Sequence, residues 1–394
     1  MQMNRTARPL PQPDRESAAH SAAVGAFIRE RIDDAGGSVS FAEFMQHALY
    51  APGLGYYVSG LRKFGRGGDF VTAPEISPLF GRVLAAQCAK VLADSGGNVL
   101  ELGAGSGALA ATMLARLDEF DALPERYAIL DVSAELRARQ AVHLEQQVPQ
   151  LAARVEWLEA LPLAFDGVII SNEVVDALPV ERFTIRGGQV LQRRVVNYAD
   201  GFGWNEAPAP GFVDDAVRAV MTDIGTELPD GYVSEVCTAL PPWLGDVAAS
   251  LGTGLLLIFD YGVSRREYYA PDRNGGWLRC HFRHHVHDDP LVLPGIQDLT
   301  SWVDFTAAVT AAVEHGLDVA GYVTQAEFLL HGGLDAELAG FDATDAKRQV
   351  ALSREVKLLT LPGEMGEHFK CLGLSRGDVV LPDAFSVRDR AHRL

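Results

Sequence analysis

Cysteine is scarce in this chain. Cys88, Cys237, Cys280 and Cys371 are scattered over 394 residues with no C-x-x-C pair. A chain this long can bury a sizeable core without a disulfide framework, so the thiols point to a reducing compartment. Basic residues are also few: 34 Lys and Arg face 52 Asp and Glu, a formal net charge of −18. A field of that sign disfavours nonspecific nucleic-acid binding, which depends on cationic patches. It suits plain solubility, or a cationic or basic-peptide partner. No apolar run approaches the roughly 18–20 residues of a membrane span. The opening "MQMNRTARPLPQPDRESAAH" holds Arg and Pro but no apolar stretch of the secretory kind. These absences lead to the expectation of a soluble, cytoplasmic protein with no membrane insertion and a disordered tail over residues 1–20.

What is present reads as an alternating α/β chain. Helical periodicity runs over 21–35, and Ser40 with Glu43 forms a capping-box signature at the start of a second helix. "KFGRGGDFVTAPEISPLFG" (63–81) is dense in Gly, Pro, Ser and Thr, the composition of a structured loop. From Asn98 short apolar strands ("NVLEL", "YAILD", "RVEW", "DGVIIS") alternate with amphipathic helices, the rhythm of a parallel, doubly wound sheet. At 182 the rhythm changes. Three alternating runs joined at Gly187-Gly188 and Asp200-Gly201 predict an antiparallel meander. "GLLLIFDYG" (254–262) then returns to the buried-strand pattern. The expected organisation is a helical N-terminal extension over 21–95 and a sheet domain over 96–394. The meander and a helix, at about 182–250, form an insertion within that domain rather than a separate one.

"VLELGAGSGALA" (99–110) is the most informative motif. A strand ends near Glu101, then Gly103, Ala104, Gly105 and Gly107 lead at once into a helix. Glycine permits the sharp turn and the close approach of a ligand. The helix N-terminus offers free N–H groups to a carboxylate or phosphate. Two ligand classes compete here. Dinucleotide enzymes use G-x-G-x-x-G/A, which Gly103, Gly105 and Ala108 satisfy. S-adenosylmethionine enzymes place an acidic residue two before G-x-G-x-G, and Glu101 with Gly103, Gly105 and Gly107 fits better. Asp131, at the end of the next strand, can accept both ribose hydroxyls.

"SNEVVDALPVERF" (171–183) raises a different question. Glu173, Asp176 and Glu181, with Asp166 upstream, cluster around the end of an apolar strand. Carboxylates so placed need something positive to hold.

At this point the chain resembles the MidA-type family of S-adenosylmethionine-dependent methyltransferases. The matching stretches are "FMQHALYAPGLGYY", "GDFVTAPEISPLFG", "LELGAGSG", "ILDVSAELRARQ", "SNEVVDALPVERF", "LLLIFDYG", "RCHFRHHVHDDPLVLPGIQDLTSWVDF" and "MGEHFK". The glycine motif is shared by many methyltransferases, whereas "GDFVTAPEISPLFG" and "NEVVDALPV" are far more specific. The resemblance implies a class I methyltransferase fold, Rossmann-like, with a helical N-terminal extension. It also implies S-adenosyl-L-methionine as cofactor and transfer to arginine of a protein substrate. By the same resemblance the client is a subunit of NADH–quinone oxidoreductase, respiratory complex I. Asp131 stands where many relatives have Glu, a change that keeps a ribose acceptor.

In a doubly wound sheet, ligands sit outside the carboxyl ends of the strands. Asn172 would then lie beside the cofactor, and Glu173 and Asp176 where a methyl acceptor approaches. A carboxylate pairing with a guanidinium fixes its plane and polarises it toward the attacking nitrogen. Glu173 with Asp176, or with Glu181, makes that pair. The resemblance favours Asp176, and Glu181 also reads as a solvated or ion-paired hairpin residue beside Arg182.

"CHFRHHVHDD" (280–289) holds zinc-ligand residue types, but its spacing follows no ligand pattern. It is read as a polar loop near the substrate, with no metal. His281 and Asp288 are its members of interest, braced by Asp298 or Asp304. The 63–81 loop is read as a lid with hinges at Gly67 and Gly68, and with Asp69, Thr72 and Glu75 as polar contacts. Two other readings stand beside the methyltransferase one. They are a non-catalytic assembly factor that keeps the fold to bind a client, and a nicotinamide-dependent dehydrogenase.

Overall fold

The computed structural model describes residues 10–59, 71–95, 97–341 and 344–394. They form two compact units, each discontinuous in sequence. One gathers the described residues within Met1–Phe70, Ala177–Thr238 and Tyr269–Ser301. The other gathers those within Val71–Asp176, Ala239–Tyr268 and Trp302–Leu394.

The second unit is an α/β sheet structure. Its strands are β1 (Asn98–Leu102), β2 (Tyr127–Leu130), β3 (Val155–Leu158), β4 (Phe165–Asn172), β5 (Leu251–Val263), β6 (Val303–Asp304), β7 (Asp318–Thr324) and β8 (Phe369–Arg376). Their order is β7-β8-β5-β4-β1-β2-β3, with β6 pairing the end of β5. Strands β1 to β5 run parallel, while β8 is antiparallel to both β5 and β7. The central strands are continuous apolar runs because both faces are covered: Val168 to Ile170 and Leu255 to Phe259 are all fully buried. The helix Pro78–Ser95 contributes Phe80, whose ring meets Phe259 edge-on at 5.2 Å. The helix Gln325–His331 contributes Phe328, 5.0 Å from the same ring. Each such fully buried side chain contributes roughly 1.5–3 kcal/mol. Strand order reverses between β1 and β4, so the crevice at their carboxyl ends is the switch point where such sheets bind ligands.

The first unit is built on antiparallel pairing. The expected meander is present as Glu181–Arg186, Gln189–Tyr198 and Gly201–Pro208. Gly187 and Gly188, at φ 56° and 77°, make the first two-residue turn, while the second uses Ala199 and Asp200. The meander does not join the parallel sheet. It forms its own five-stranded sheet with Ser38–Ser40 and Val233–Val236. The helices Arg15–Asp34 and Phe41–Tyr50 share its unit and bury Val24, Ile28, Phe41, Phe44 and Leu49 in a common core with Val195. The capping box of Ser40 and Glu43 is formed.

Three expectations change. Residues 15–20 are helix rather than tail, because Asp14 accepts from the Ser17 N–H at 2.9 Å and caps the helix there. The histidine stretch is no loop: Leu278–Phe282, His285–His287 and Asp298–Ser301 make a three-stranded antiparallel sheet. The division at residue 95 gives way to the two interleaved units, in which Pro78–Ser95 belongs with the parallel sheet and the meander with the N-terminal helices.

Candidate active site

The glycine turn follows β1. Gly103 N–H donates to Leu130 O at 2.9 Å, carrying the ladder one residue past the strand. Gly103, Gly105 and Gly107 have φ of 66°, 53° and 81°, the left-handed region that glycine adopts without strain. A Cβ on Gly103 would lie 3.0 Å from Val174 Cγ2, and one on Gly107 3.4 Å from Gln140 Cα. Ala104 is buried in the turn, and its carbonyl accepts from Gly107 N–H at 2.8 Å. Gly107 is the N-cap of the helix Ala108–Glu119, whose first N–H groups are available to an anion.

Two acids flank this turn. Glu101 is buried and accepts from the Tyr127 hydroxyl at 2.7 Å. Burial first, and then the charge of Asp131, push its carboxyl up to about 7, against the Tyr127 hydrogen bond. Asp131 follows β2. Its Oδ1 accepts from Ser133 N–H at 3.1 Å and its Oδ2 from Gln140 Nε2 at 2.9 Å. Gln140 Nε2 also donates to Gly105 O at 3.1 Å, and its Oε1 accepts from Trp157 Nε1 at 2.9 Å. One buried amide thus ties together β2, β3 and the glycine turn. Sequence reasoning missed Gln140. Its signal was there, since the buried face of the helix Ala134–Gln147 is Leu136, Gln140 and Leu144, a lone amide in an apolar stripe.

These residues fit S-adenosyl-L-methionine. A ribose needs an acceptor for its hydroxyls, and the carboxylate of Asp131 is an acceptor held in place by Ser133 and Gln140. An amino-acid carboxylate suits a helix N-terminus, and its ammonium group suits a nearby acid. At the end of β4, buried Ser171 Oγ and Asn172 Oδ1 have no hydrogen-bond partner among the described residues, leaving polar atoms for a ligand to satisfy.

The acidic loop begins at the same strand end. Asn172 Nδ2 donates to Glu173 Oε1 at 3.3 Å. Glu173 has φ 54°, a left-handed conformation that costs a non-glycine residue roughly 1–3 kcal/mol. Its N–H donates to Phe259 O on β5 at 2.9 Å. Loss of hydration, then the negative charge of Asp176 and, more weakly, that of Glu75, push its carboxyl up to about 8. Asn172 and the Ala73 N–H hold it down. Asp176 is buried, in the short turn after Glu173. Asp260, near the carboxyl end of β5, completes the cluster. It is fully buried, and its Oδ2 accepts from Val175 and Asp176 N–H at 3.0 and 3.1 Å. Burial and the charges of Asp176 and Glu173 raise its carboxyl well above the usual range. It follows the apolar run Leu255–Phe259 within that strand, the same signal that singled out Glu101 and Asp131. Asp166 stands apart at the start of β4, accepting from Thr253 N–H at 2.6 Å.

Of the expected lid, Asp69 lies outside the described residues, as do Gly67, Gly68 and Phe70. Thr72 and Glu75 form a capping box on the helix Ala73–Ile76. Through the Ala73 N–H and the charge of Glu75 this segment acts on Glu173.

The other unit holds the remaining expected residues. His281 pairs in register with Val286 and Asp298 in the three-stranded sheet. Burial, then the charges of His287 and Arg279, lower it to about 4, so it is neutral at pH 7. Asp298 is buried and accepts from the Tyr57 hydroxyl at 2.8 Å. Asp304 does not brace this sheet: it belongs to the parallel-sheet unit and pairs with Arg265 at 2.9 Å. Asp288 is exposed, 3.5 Å from Arg279. Glu181 is neither solvated nor paired with Arg182. It is buried and accepts from Gln192 Nε2 at 2.8 Å, while Arg182 lies 3.6 Å from Glu235. The fold therefore brings Glu101, the glycines, Asp131, Asn172, Glu173, Asp176, Thr72 and Glu75 into one unit and leaves His281 and Glu181 in the other.

Comparison with known proteins agrees with this geometry. A model of the S-adenosyl-L-methionine-dependent methyltransferase family matches residues 80–323. A crystal structure of a Burkholderia thailandensis protein bound to S-adenosyl-homocysteine is 42% identical, with a TM-score of 0.93 over 98% of this chain and 100% of that one. Two curated relatives are named mitochondrial protein arginine methyltransferases. The NDUFAF7 homologue of Drosophila melanogaster is 29% identical over 94% of this chain and 89% of its own length. NDUFAF7 of Mus musculus is 29% identical over 86% and 81%. The dinucleotide reading of the glycine motif therefore gives way to S-adenosyl-L-methionine. The cytoplasmic expectation is also corrected, since these relatives are named mitochondrial. Scattered thiols carry no address within the cell. Among the described residues, no helix is long and apolar enough to cross a membrane.

Proposed function

The chain belongs to the S-adenosyl-L-methionine-dependent methyltransferase family, and from that premise we propose that its methyl acceptor is arginine in a protein client, a subunit of respiratory complex I. The observation that carries the acceptor is the carboxyl cluster of Glu173, Asp176 and Asp260 at the switch point. The charges acting on Glu173 are those of Asp176 and Glu75, and both are negative. Such a cluster favours a cation. The names of the Drosophila and mouse relatives support arginine in a protein. The net charge of −18 suits a basic client segment. The complex I client follows from the motif-level resemblance to the MidA-type family.

The cofactor, when bound, supplies an electrophilic methyl group on a sulfonium. The chain's own residues prepare the acceptor. Arginine stays protonated at neutral pH, with its charge spread over a plane. Glu173 and Asp176 fix that plane through charge-assisted hydrogen bonds. The incoming cation favours the ionised form of Glu173, which then accepts a proton from the reacting guanidinium at a carboxylate oxygen. Methyl transfer from a sulfonium to a nitrogen is an in-line displacement at the methyl carbon with a thioether as leaving group, so this orientation would supply much of the rate.

The test is incubation with methyl-deuterated S-adenosyl-L-methionine and purified complex I subunits, followed by proteolysis and mass-spectrometric localisation of the label. The proposal expects label in methylarginine. Label confined to lysine, glutamine or a carboxyl group would replace arginine as the acceptor.

A further inference from the structure

We propose that Asp260 is a positioning residue for the acceptor loop: its buried carboxylate gathers the Val175 and Asp176 N–H groups and so sets the direction of the Glu173 and Asp176 side chains. This rests on the acceptor role given above to that loop. The strained φ of 54° at Glu173 persists only where its neighbours over-determine it. Two successive residues of β5 supply that constraint. Phe259 O accepts from Glu173 N–H at 2.9 Å, and Asp260 Oδ2 accepts from the next two N–H groups but one, those of Val175 and Asp176, at 3.0 and 3.1 Å. Asp260 Oδ1 accepts from its own neighbour, Tyr261 N–H, at 2.9 Å, which fixes the carboxylate plane.

The residue type matters. A carboxylate brings two acceptor oxygens and no donor. An asparagine in the same place would offer one oxygen. Its NH₂ group would face either the Tyr261 N–H or the Val175 and Asp176 N–H pair. A fully buried acid is costly to keep, and the three main-chain donors around it are what make Asp260 tolerable there. Both of its nearest acidic neighbours, Glu173 and Asp176, raise its pKa, so the site spends electrostatic stability to hold the loop in this shape. Strand β5 thus works twice: its ladder to β4 builds the sheet, and Phe259 and Asp260 set the loop that follows β4.

The test compares the unmodified chain with Asp260→Asn and Asp260→Glu by amide hydrogen exchange with residue-level mass spectrometry, calorimetry with S-adenosyl-homocysteine, and methyl transfer to a Gly-Arg-Gly-containing peptide. In the unmodified chain the Val175 and Asp176 amides exchange slowly. Asp260→Asn speeds exchange at 174–177 while 99–107 stay protected, and S-adenosyl-homocysteine affinity stays within about twofold. Its kcat falls at least about tenfold with the KM for S-adenosyl-L-methionine unchanged, and Asp260→Glu restores part of both losses. Rapid exchange at 175 and 176 in the unmodified chain overturns the proposal without any variant. So does an Asp260→Asn chain whose protection and cofactor affinity fall together across the sheet, the pattern of a purely structural residue. If the unmodified chain leaves the peptide unmethylated, that result counts against the arginine reading, and the exchange data alone decide the role of Asp260.

Discussion

Gln140 and Asp131 meet at 2.9 Å, with the amide donating to the carboxylate that stands at the end of β2. The same amide reaches Gly105 O and Trp157 Nε1, so the orientation of the Asp131 carboxylate and the shape of the glycine turn are set by one side chain. Gln140→Leu keeps the apolar volume and removes all three contacts, leaving Trp157 Nε1 and Gly105 O without them. We expect a loss of about 2–4 kcal/mol in stability. We also expect S-adenosyl-homocysteine to bind roughly tenfold more weakly, because Asp131 loses its orientation. Chemical denaturation and calorimetry read the two effects separately.

Gly105 sits at φ 53°, where a β-branched residue is strained by roughly 1–2 kcal/mol. A side chain there would also obstruct the close approach of a ligand to the backbone. Gly105→Val should weaken S-adenosyl-homocysteine binding by at least about tenfold, with NADH as a control that binds neither form. Undiminished affinity by calorimetry would remove the turn from the cofactor site.

Glu173→Gln keeps the shape of the side chain and removes its charge. Cofactor affinity should hold, while methyl transfer falls by about 10²–10³, the range seen when one charge-stabilising group is lost. Retained transfer to arginine would take Glu173 out of the mechanism.

The raised carboxyl of Glu173 gives a pH signature of known sign. Without a cation it titrates at about 8, so the ionised form that receives a guanidinium grows as pH rises toward that value. The kcat/KM for an arginine peptide, which reports the free enzyme, should therefore climb between pH 6 and 8 and then level off. Stability runs the other way. The folded state holds this proton at pH values where the unfolded state has released it, so stability is full below the ordinary glutamate range, near 4.5, and is lost as pH rises through about 8. Glu173→Gln should raise the melting temperature at pH 8 and leave it nearly unchanged at pH 4. We expect the gain at pH 8 to be roughly 1–2 kcal/mol, less than the full linkage value because the carboxyl keeps some water. Thermal melts of both forms across that range check it.

The parallel sheet was legible because its strands are buried on both faces and read as unbroken apolar runs, as "GVII" and "LLLIF" do. The first hairpin was legible because Gly187-Gly188 supplies the left-handed pair its turn requires. Other features depend on partners far away in the chain. The three-residue strand Ser38–Ser40 exists only through its pairing with Arg194, Val195 and Val196. The division into interleaved units rests on such contacts too. The histidine stretch hid a sheet because its alternation is short: Leu278, Cys280 and Phe282 are buried in period 2, but the partner strand His285–His287 is three residues long and mostly histidine. At the site, acids ending apolar strands were readable one at a time. Asp260 follows an apolar run and carries the same signal, but its role, holding the main-chain N–H groups of residues 175 and 176, is a relation that no local pattern displays.

The central claim is that Glu173 and Asp176 present a methyl acceptor that is arginine. The measurement that tests it most directly is mass-spectrometric localisation of the methyl group on complex I subunits after reaction with S-adenosyl-L-methionine, run in parallel with the unmodified chain and with Glu173→Gln. The account predicts methylarginine with the unmodified chain and none above background with the variant. Methylation at another residue type, or equal methylarginine from both proteins, would contradict it.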